Sequence, residues 1–248
     1  MVEKGRSGET YRPRYAIDLH AMTSDTFKIT KEEIGETLSN FNFRRGDVVV
    51  ADRAYGTLNG VNHCLNRSAD YILRLREDCF AVYDKNGNTF DSTGDFAALE
   101  SGERSEAAGF AALPDKTRIP VRICVKRKDK EGCGKSRERL GRRASGKDDN
   151  LREKTVSFNE CIVVATSLPH SVGAGEVLET YRWRRQAEIY FKRLKSIMDF
   201  GDLPKKNPAA SEAWLNGKIM VALLIEAFIA KRAFSSGDRI ECQPRHMA

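Results

Sequence analysis

The sequence predicts an α/β fold with a β-rich stretch set between an α/β first part and a helical last part, and three observations predict it. Val48-Val49-Val50-Ala51 is an uninterrupted apolar run of the kind that forms a buried central strand, and it ends in Asp52. Residues 78–168 hold short β-type segments separated by Gly, Asp and Asn. From Gly175 to Met198 the apolar residues return at helical spacing.

The 248 residues suit one large domain, or one domain carrying an insertion. Hydrophobic residues make up 40% of the chain, enough for a core, and the 31% of charged residues is high without being the composition of a disordered chain. The net charge of +7 points to a polyanionic partner, nucleic acid first, against the blander reading of a basic soluble surface. The six cysteines form no C-x-x-C pair, and no His stands beside them at zinc-ligand spacing. With no secretory leader read, they are the reduced thiols of a cytoplasmic protein. The longest apolar stretch, Ile219 to Ala230, is too short and too polar at its edges to span a bilayer, so no membrane is expected.

The elements follow in order. Residues 1–13 are polar and rich in Gly and Arg, a loop. Tyr15 to His20 alternates as a strand, and a second strand covers Asp25 to Ile29. Thr30 reads as an N-cap with Glu33 as its capping-box partner, opening a helix through Leu38. Arg45-Gly46-Asp47 is a turn. After the strand at 48–51, Thr57 to Leu65 forms a helix, which Gly60 weakens, and Tyr71 to Arg76 another strand. In the β-rich stretch the strand-like segments are Phe80–Tyr83, Thr89–Phe90, Ile119–Val125 and Glu160–Ala165. Residues 126–154 are dense in Arg, Lys and Gly and nearly free of apolar residues, which reads as a mobile loop or a DNA-facing arm. The helix from Gly175 to Met198 carries Val177, Leu178, Tyr181, Trp183, Ile189, Phe191 and Leu194 at core spacing. Pro204 to Pro208 breaks the pattern, and a last amphipathic helix, Ser211 to Phe234, places Trp214, Ile219, Leu223 and Phe228 in the core. The resulting division is 1–77, 78–168 and 169–248.

Two segments can carry chemistry. An apolar strand ending in Asp52 and passing into Arg53-Ala54-Tyr55-Gly56 sets a carboxylate at the mouth of a sheet, where a hard cation such as Mg²⁺ can bind. A turn-forming or helix-capping Asp is the alternative. In the helix, Arg184, Glu188 and Lys195 lie four and seven residues apart on one face, with Tyr181 a turn earlier. An acid flanked by bases fits a metal-bound carboxylate among phosphate contacts. The competing reading is an ion-pair ladder on a solvated helix, which Arg182, Arg185, Lys192 and Arg193 favour. Trp183 can stack on an extruded base, although packing is the commoner role of a Trp so placed.

At these residues the chain resembles the bacterial insertion-sequence transposases of the IS-four group, acidic-triad (DDE) enzymes. Tyr181, Arg184, Glu188 and Lys195 match the family's Y-(2)-R-(3)-E-(6)-K signature at every spacing, and Asp52-Arg53-Ala54-Tyr55-Gly56 looks like its second-aspartate motif, usually D-R-G-Y. The resemblance covers nearly the whole chain. It implies an RNase H-like mixed sheet flanked by helices, with a β-rich insertion before the last catalytic helix. It implies that three acids hold two divalent ions, Mg²⁺ or Mn²⁺, which drive cleavage and strand transfer at transposon ends. Carried over, Asp52 is the second acid and Glu188 the third, both catalytic and metal-binding; Tyr181, Arg184, Lys195 and Arg53 contact DNA. A homodimer bridging two DNA ends is implied by the resemblance alone.

The chain departs from the family pattern at the first acid. That Asp lies on a strand before a basic Gly-rich loop, here Glu3 to Gly8, so it is expected upstream of Met1. Asp18 lies on the wrong strand to replace it, and Asp25 and Asp47 read as turn or loop acids. Two expectations follow: an N-terminally truncated transposase with impaired catalysis, or a catalytically inactive DNA-binding remnant.

Overall fold

The computed structural model describes residues 3–4, 10–31, 33–77, 79–90, 96, 98–145, 152–198 and 208–235. Its order is β1 (Glu3–Lys4), β2 (Thr10–Asp18), β3 (Thr23–Lys31), a 3-10 turn (Leu38–Asn40), β4 (Val48–Ala51), α1 (Leu58–Asn66), β5 (Asp70–Arg74), β6 (Arg104–Ala112), β7 (Arg118–Arg127), α2 (Lys130–Ser145), α3 (Glu153–Glu160), β8 (Cys161–Thr166), α4 (Ala174–Met198) and α5 (Pro208–Ser235). The chain divides into two compact units, one made of residues 1–35 and 185–248, the other of residues 36–184.

The 36–184 unit is built on a five-stranded mixed sheet in the order β4-β5-β8-β7-β6. β4 runs parallel to β5, and the remaining pairs are antiparallel. Strand alternation divides the core between two faces. Tyr71, Leu73, Val121, Ile123, Val125, Val163 and Ala165 meet Val61 and Cys64 of α1 on one face. Ile72, Cys124 and Val164 meet Val177, Leu178 and Tyr181 of α4 on the other. The α/β class expected from the sequence, a mixed sheet flanked by helices, is the one observed, and the strands of the 78–168 stretch are hydrogen-bonded into the same sheet as β4 and β5.

The unit of residues 1–35 and 185–248 holds a three-stranded antiparallel sheet, β1-β2-β3. Tyr11 of β2 packs with Leu215 and Ile219 of α5, and Phe27 and Ile29 of β3 join them. Tyr15 stacks on Phe191 with ring centroids 4.6 Å apart. The buried Arg14 donates to Thr30 Oγ1 at 2.8 Å and to the Ile34 carbonyl.

Several expectations are corrected. Residues 10–13 belong to a strand rather than a loop, because β2 pairs with β3 through Tyr11↔Lys31; Gly5 to Gly8 lie outside the described residues. Thr30 caps no helix: it pairs with Arg12 in the β2–β3 ladder, and its hydroxyl serves Arg14. The cap is instead Thr37, which accepts the Ser39 N–H before the short 3-10 turn. Among the described strands β4 stands at the end of the sheet order rather than in its centre, and Val48 is 45% exposed. Asp47 does serve a turn, accepting the Arg44 N–H at 2.7 Å, whereas Asp25 sits within β3. β6 was not anticipated, because its sequence (RSEAAGFAA) lacks the β-branched residues that signal a strand. In α5 the buried stripe is Ser211, Leu215, Ile219 and Ala222; of the four residues expected in the core only Ile219 is buried, and Trp214, Leu223 and Phe228 are exposed.

The largest correction is at 126–154. Instead of a loop, the chain forms two helices, α2 and α3, packed against each other between neighbouring strands β7 and β8. Phe158 of α3 packs against the core, and charge supplies the other anchors. Glu160 is buried and accepts from Arg127 Nη2 at 2.9 Å and from Arg137. Lys128 donates to Ser136 Oγ at 2.7 Å and to the Asn159 carbonyl. Asp129 accepts the Gly132 N–H at 2.7 Å, satisfying one of the orphan donors at the start of α2.

Candidate functional site: an aspartate at a strand end and the helix beside it

β4 delivers Asp52 at its C-terminal end. The carboxylate Oδ1 accepts the Ala54 N–H at 2.9 Å, and the Asp52 carbonyl accepts the Tyr55 N–H at 3.1 Å, so Asp52 shapes its own turn. The turn is held close to β5: a side chain at Gly56 would place its Cβ 2.1 Å from the Arg74 carbonyl oxygen. Thr57 then caps α1, accepting the Gly60 N–H at 3.1 Å. Gly60, which weakened the helix reading, is needed because a Cβ there would stand 2.6 Å from the Tyr55 carbonyl.

α4 is anchored from the other face of the sheet. Arg122, buried in mid-strand β7, donates to the carbonyls of Pro169 at 2.8 Å and Val172 at 2.6 Å, fixing the segment that leads into the helix. Glu176 accepts the Gly173 N–H at 2.9 Å, half of a capping box. Val177, Leu178 and Tyr181 then bury one stripe. Tyr181 is 6% exposed, and its hydroxyl has no hydrogen-bond partner among the described residues.

One turn beyond Tyr181, Arg184 Nη1 lies 3.9 Å from Asp52 Oδ2, and its guanidinium carbon is 5.8 Å from the Tyr181 ring centroid. The Asp52 side chain keeps 42% of its exposure and that of Arg184 21%, so the pair is open to solvent on the acid's side. Further cations lie nearby. Lys128 is held below the usual lysine range, first by burial and then by the Arg74 and Arg53 charges beside it. Arg53, in the Asp52 turn, and Arg74 of β5 thus share a cluster of positive charge with Lys128.

Of the other residues singled out in the sequence, Glu188 is exposed on α4, one turn past Arg184, in the unit of residues 1–35 and 185–248. Lys195 lies in α4, but its side chain is outside the described residues. Trp183 is 52% exposed, so packing is not its role. Asp18 is a turn acid, accepting the N–H groups of His20 and Ala21. Cys64, Cys79, Cys124, Cys133 and Cys161 are free thiols; burial pushes Cys64 up to about 12 and Cys161 up to about 11, so neither is a nucleophile at neutral pH. Sequence reasoning missed Arg122, Lys128 and Glu160. The available signal was a charge inside or beside an apolar strand, which demands a buried partner.

Carboxylate oxygens suit a hard divalent cation. Among the described residues no three His, Cys, Asp or Glu are gathered into a group that could hold an ion. Asp52 thus fits as one ligand of such a site, and no coordination geometry follows. Among the described residues no helix is long and apolar enough to cross a membrane.

A mixed sheet with helices on both faces and an acid at a strand end is consistent with the RNase H-like class of nucleic-acid-processing domains. Residues 15–224 match the Transposase DDE domain family, and the chain belongs to it. It is similar to the putative transposase InsL for insertion sequence element IS186A of Escherichia coli K12, with 26% identity over 231 residues, covering 91% of this chain and 62% of that protein. It is likewise similar, with the same identity and coverage, to the transposase for insertion sequence element IS421 of Escherichia coli. The chain therefore spans about 62% of the length of these relatives. Divalent-metal dependence and a DNA substrate go with the family in general.

Proposed function

We propose that this chain acts in DNA transposition as a metal-dependent catalytic domain that cleaves DNA at transposon ends and transfers the strand. Asp52 and Glu188 are its catalytic and metal-binding carboxylates. The observation that carries the reading is the approach of Arg184 to Asp52: the helix that bears Glu188 presents to the Asp52 carboxylate the residue one turn before Glu188.

In this reading Asp52 and Glu188 supply hard oxygen ligands to Mg²⁺ or Mn²⁺, two ions in the intact site. The ions, when bound, lower the pKa of the attacking water or hydroxyl and neutralise charge at phosphorus. The chain's own residues do the rest. Arg184 orients Asp52 in the absence of DNA and turns to a phosphate when DNA arrives. Arg53 and Lys195 add phosphate contacts, which hold the backbone in register without reading sequence. Tyr181 supports the DNA-end contact from beneath Arg184, and the exposed Trp183 offers a ring for base stacking. A homodimer on two DNA ends, a nucleoid-associated cytoplasmic location and a core of 1–77 and 169–248 interrupted by 78–168 belong to the same proposal.

A second reading, a DNA-binding remnant without catalysis, is favoured by the lack of a three-acid group among the described residues. A metal-dependent nicking assay on transposon-end DNA separates the two. Nicking in Mn²⁺ that falls at least about a hundredfold in Asp52→Ala and in Glu188→Ala, with DNA binding retained, is the expected result. Binding without any nicking by the unaltered chain establishes the remnant instead.

A further inference from the structure

The chain's positive charge is concentrated in one place. Of its 42 Lys and Arg and 35 Asp and Glu, 12 and 6 fall within residues 126–154, leaving 30 and 29 elsewhere. That stretch holds all of α2 and the start of α3, and α2 alone carries Lys130, Lys135, Arg137, Arg139, Arg142 and Arg143 against Glu131 and Glu138.

The helix is laid out so that this charge faces water. Cys133, Ser136, Leu140 and Ala144, at spacings of three and four, form its inward stripe, and all four are partly buried. Lys135, Arg139 and Arg142 stand at i, i+4 and i+7 on the outer side, and all three are exposed. Along the helix they cover about 10 Å, the rise of roughly three nucleotides on one strand of B-form DNA. Two acids interrupt the stripe: Glu131 pairs with Lys135, and Glu138 with Arg142 at 2.9 Å. Both pairs are among the most exposed in the molecule, with side chains 65–75% accessible, and such pairs contribute little. A phosphate can displace either carboxylate at small cost.

The stripe is also rigidly based. Arg137, on the same helix, is committed to the buried Glu160, Lys128 ties the first turns of α2 to the end of α3, and Asp129 caps the start. An array of cations held in place before binding loses less side-chain and backbone entropy on meeting a phosphate backbone than the same residues in a loop.

We propose that the outer face of α2, through Lys135, Arg139 and Arg142, is a second duplex-DNA surface that grips the phosphate backbone without reading sequence, separate from the contacts around Asp52. It rests on the transposase reading only for the identity of the polymer. Glu131 and Glu138 act on this surface as internal competitors, lowering its affinity for DNA of any sequence.

The test uses the full chain, a random-sequence duplex and EDTA, so that no metal-dependent step contributes. The variant K135Q/R139Q/R142Q is expected to bind at least about tenfold more weakly at 100 mM salt, with the slope of log Kobs against log salt shallower by about 2–3. The companion variant E131Q/E138Q breaks the same two ion pairs but frees two cations, and is expected to bind more tightly than the unaltered chain. Far-UV circular dichroism and thermal unfolding check that both fold. Unchanged affinity and slope in the triple variant overturn the proposal. So does weaker binding by E131Q/E138Q, since the helix would then act through stability. Binding of the stripe to phosphatidylserine vesicles but not to duplex DNA overturns it as well. The outcome is independent of nicking: a chain whose nicking is lost in Asp52→Ala can still fail here, and one that does not nick can still pass.

Discussion

At position 56 the backbone passes so close to the Arg74 carbonyl that any β-carbon would stand 2.1 Å from it. No side-chain rotation relieves that contact, because the backbone fixes the β-carbon and the carbonyl is main chain. Gly56→Ala must therefore part the turn from β5, at a cost of about 1–3 kcal/mol. Thermal unfolding should show a midpoint lower by roughly 2–10 °C. The same displacement moves the Asp52 turn, so Asp52-dependent nicking should fall further than stability alone explains. An unchanged midpoint would show that the two segments are not in contact. This part of the site was legible in the sequence, because an apolar strand, an acid and a glycine turn are a local pattern. Arg122 and Glu160 were not: their partners lie 47 and 50 residues away for Arg122 and 33 and 23 for Glu160, and no local window joins them.

The same contrast holds among the elements. β4 and β5 were readable from their apolar strand patterns, and α1 and α4 as helices whose buried residues face the sheet. α5 was readable as a helix but not in its orientation, since apolar residues surround it and periodicity cannot choose among them; the face that is buried carries Ser211, Leu215, Ile219 and Ala222. α2 and α3 were misread because α2 has few apolar residues to bury and the partners of its charged groups lie far off in sequence. What holds them is the Glu160 anchor, the Lys128 tie between the two helices and the packing of Phe158 on the core. Glu160→Ala removes the acceptor shared by Arg127 and Arg137 and should cost about 2–3 kcal/mol, below the full penalty for a broken buried pair because Arg137 can turn to water. Hydrogen exchange should locate the damage: protection falls first in α2 and α3 and in the ends of β7 and β8 they join, while β4 and β5 keep theirs. Uniform loss of protection across the sheet would mean that the helix pair is not a separately anchored element.

On the scale of the whole molecule, the sequence division into 1–77, 78–168 and 169–248 followed composition, whereas the compact units follow packing. One unit is a continuous stretch, residues 36–184, and the other is made from both ends of the chain. The continuous unit has what independent folding requires. Both core clusters of the five-stranded sheet lie wholly within it, as do the α1 cap, the Arg122 anchor and the Glu160 anchor. Ending the chain at Arg184 shortens α4, but the buried residues Val177, Leu178 and Tyr181 all remain. Residues 36–184 expressed alone should therefore unfold in one cooperative transition, by circular dichroism against temperature and by urea, with the near-ultraviolet signal of Tyr181 and its neighbours retained. They should also keep salt-dependent binding to a random duplex, since the α2 stripe is included, and lose metal-dependent nicking, since Glu188 is not. A fragment that melts gradually and binds a hydrophobic dye would show that its cores need the rest of the chain. A fragment that still nicks would remove Glu188 from the chemistry altogether, because no other residue beyond Arg184 would be present to take its place.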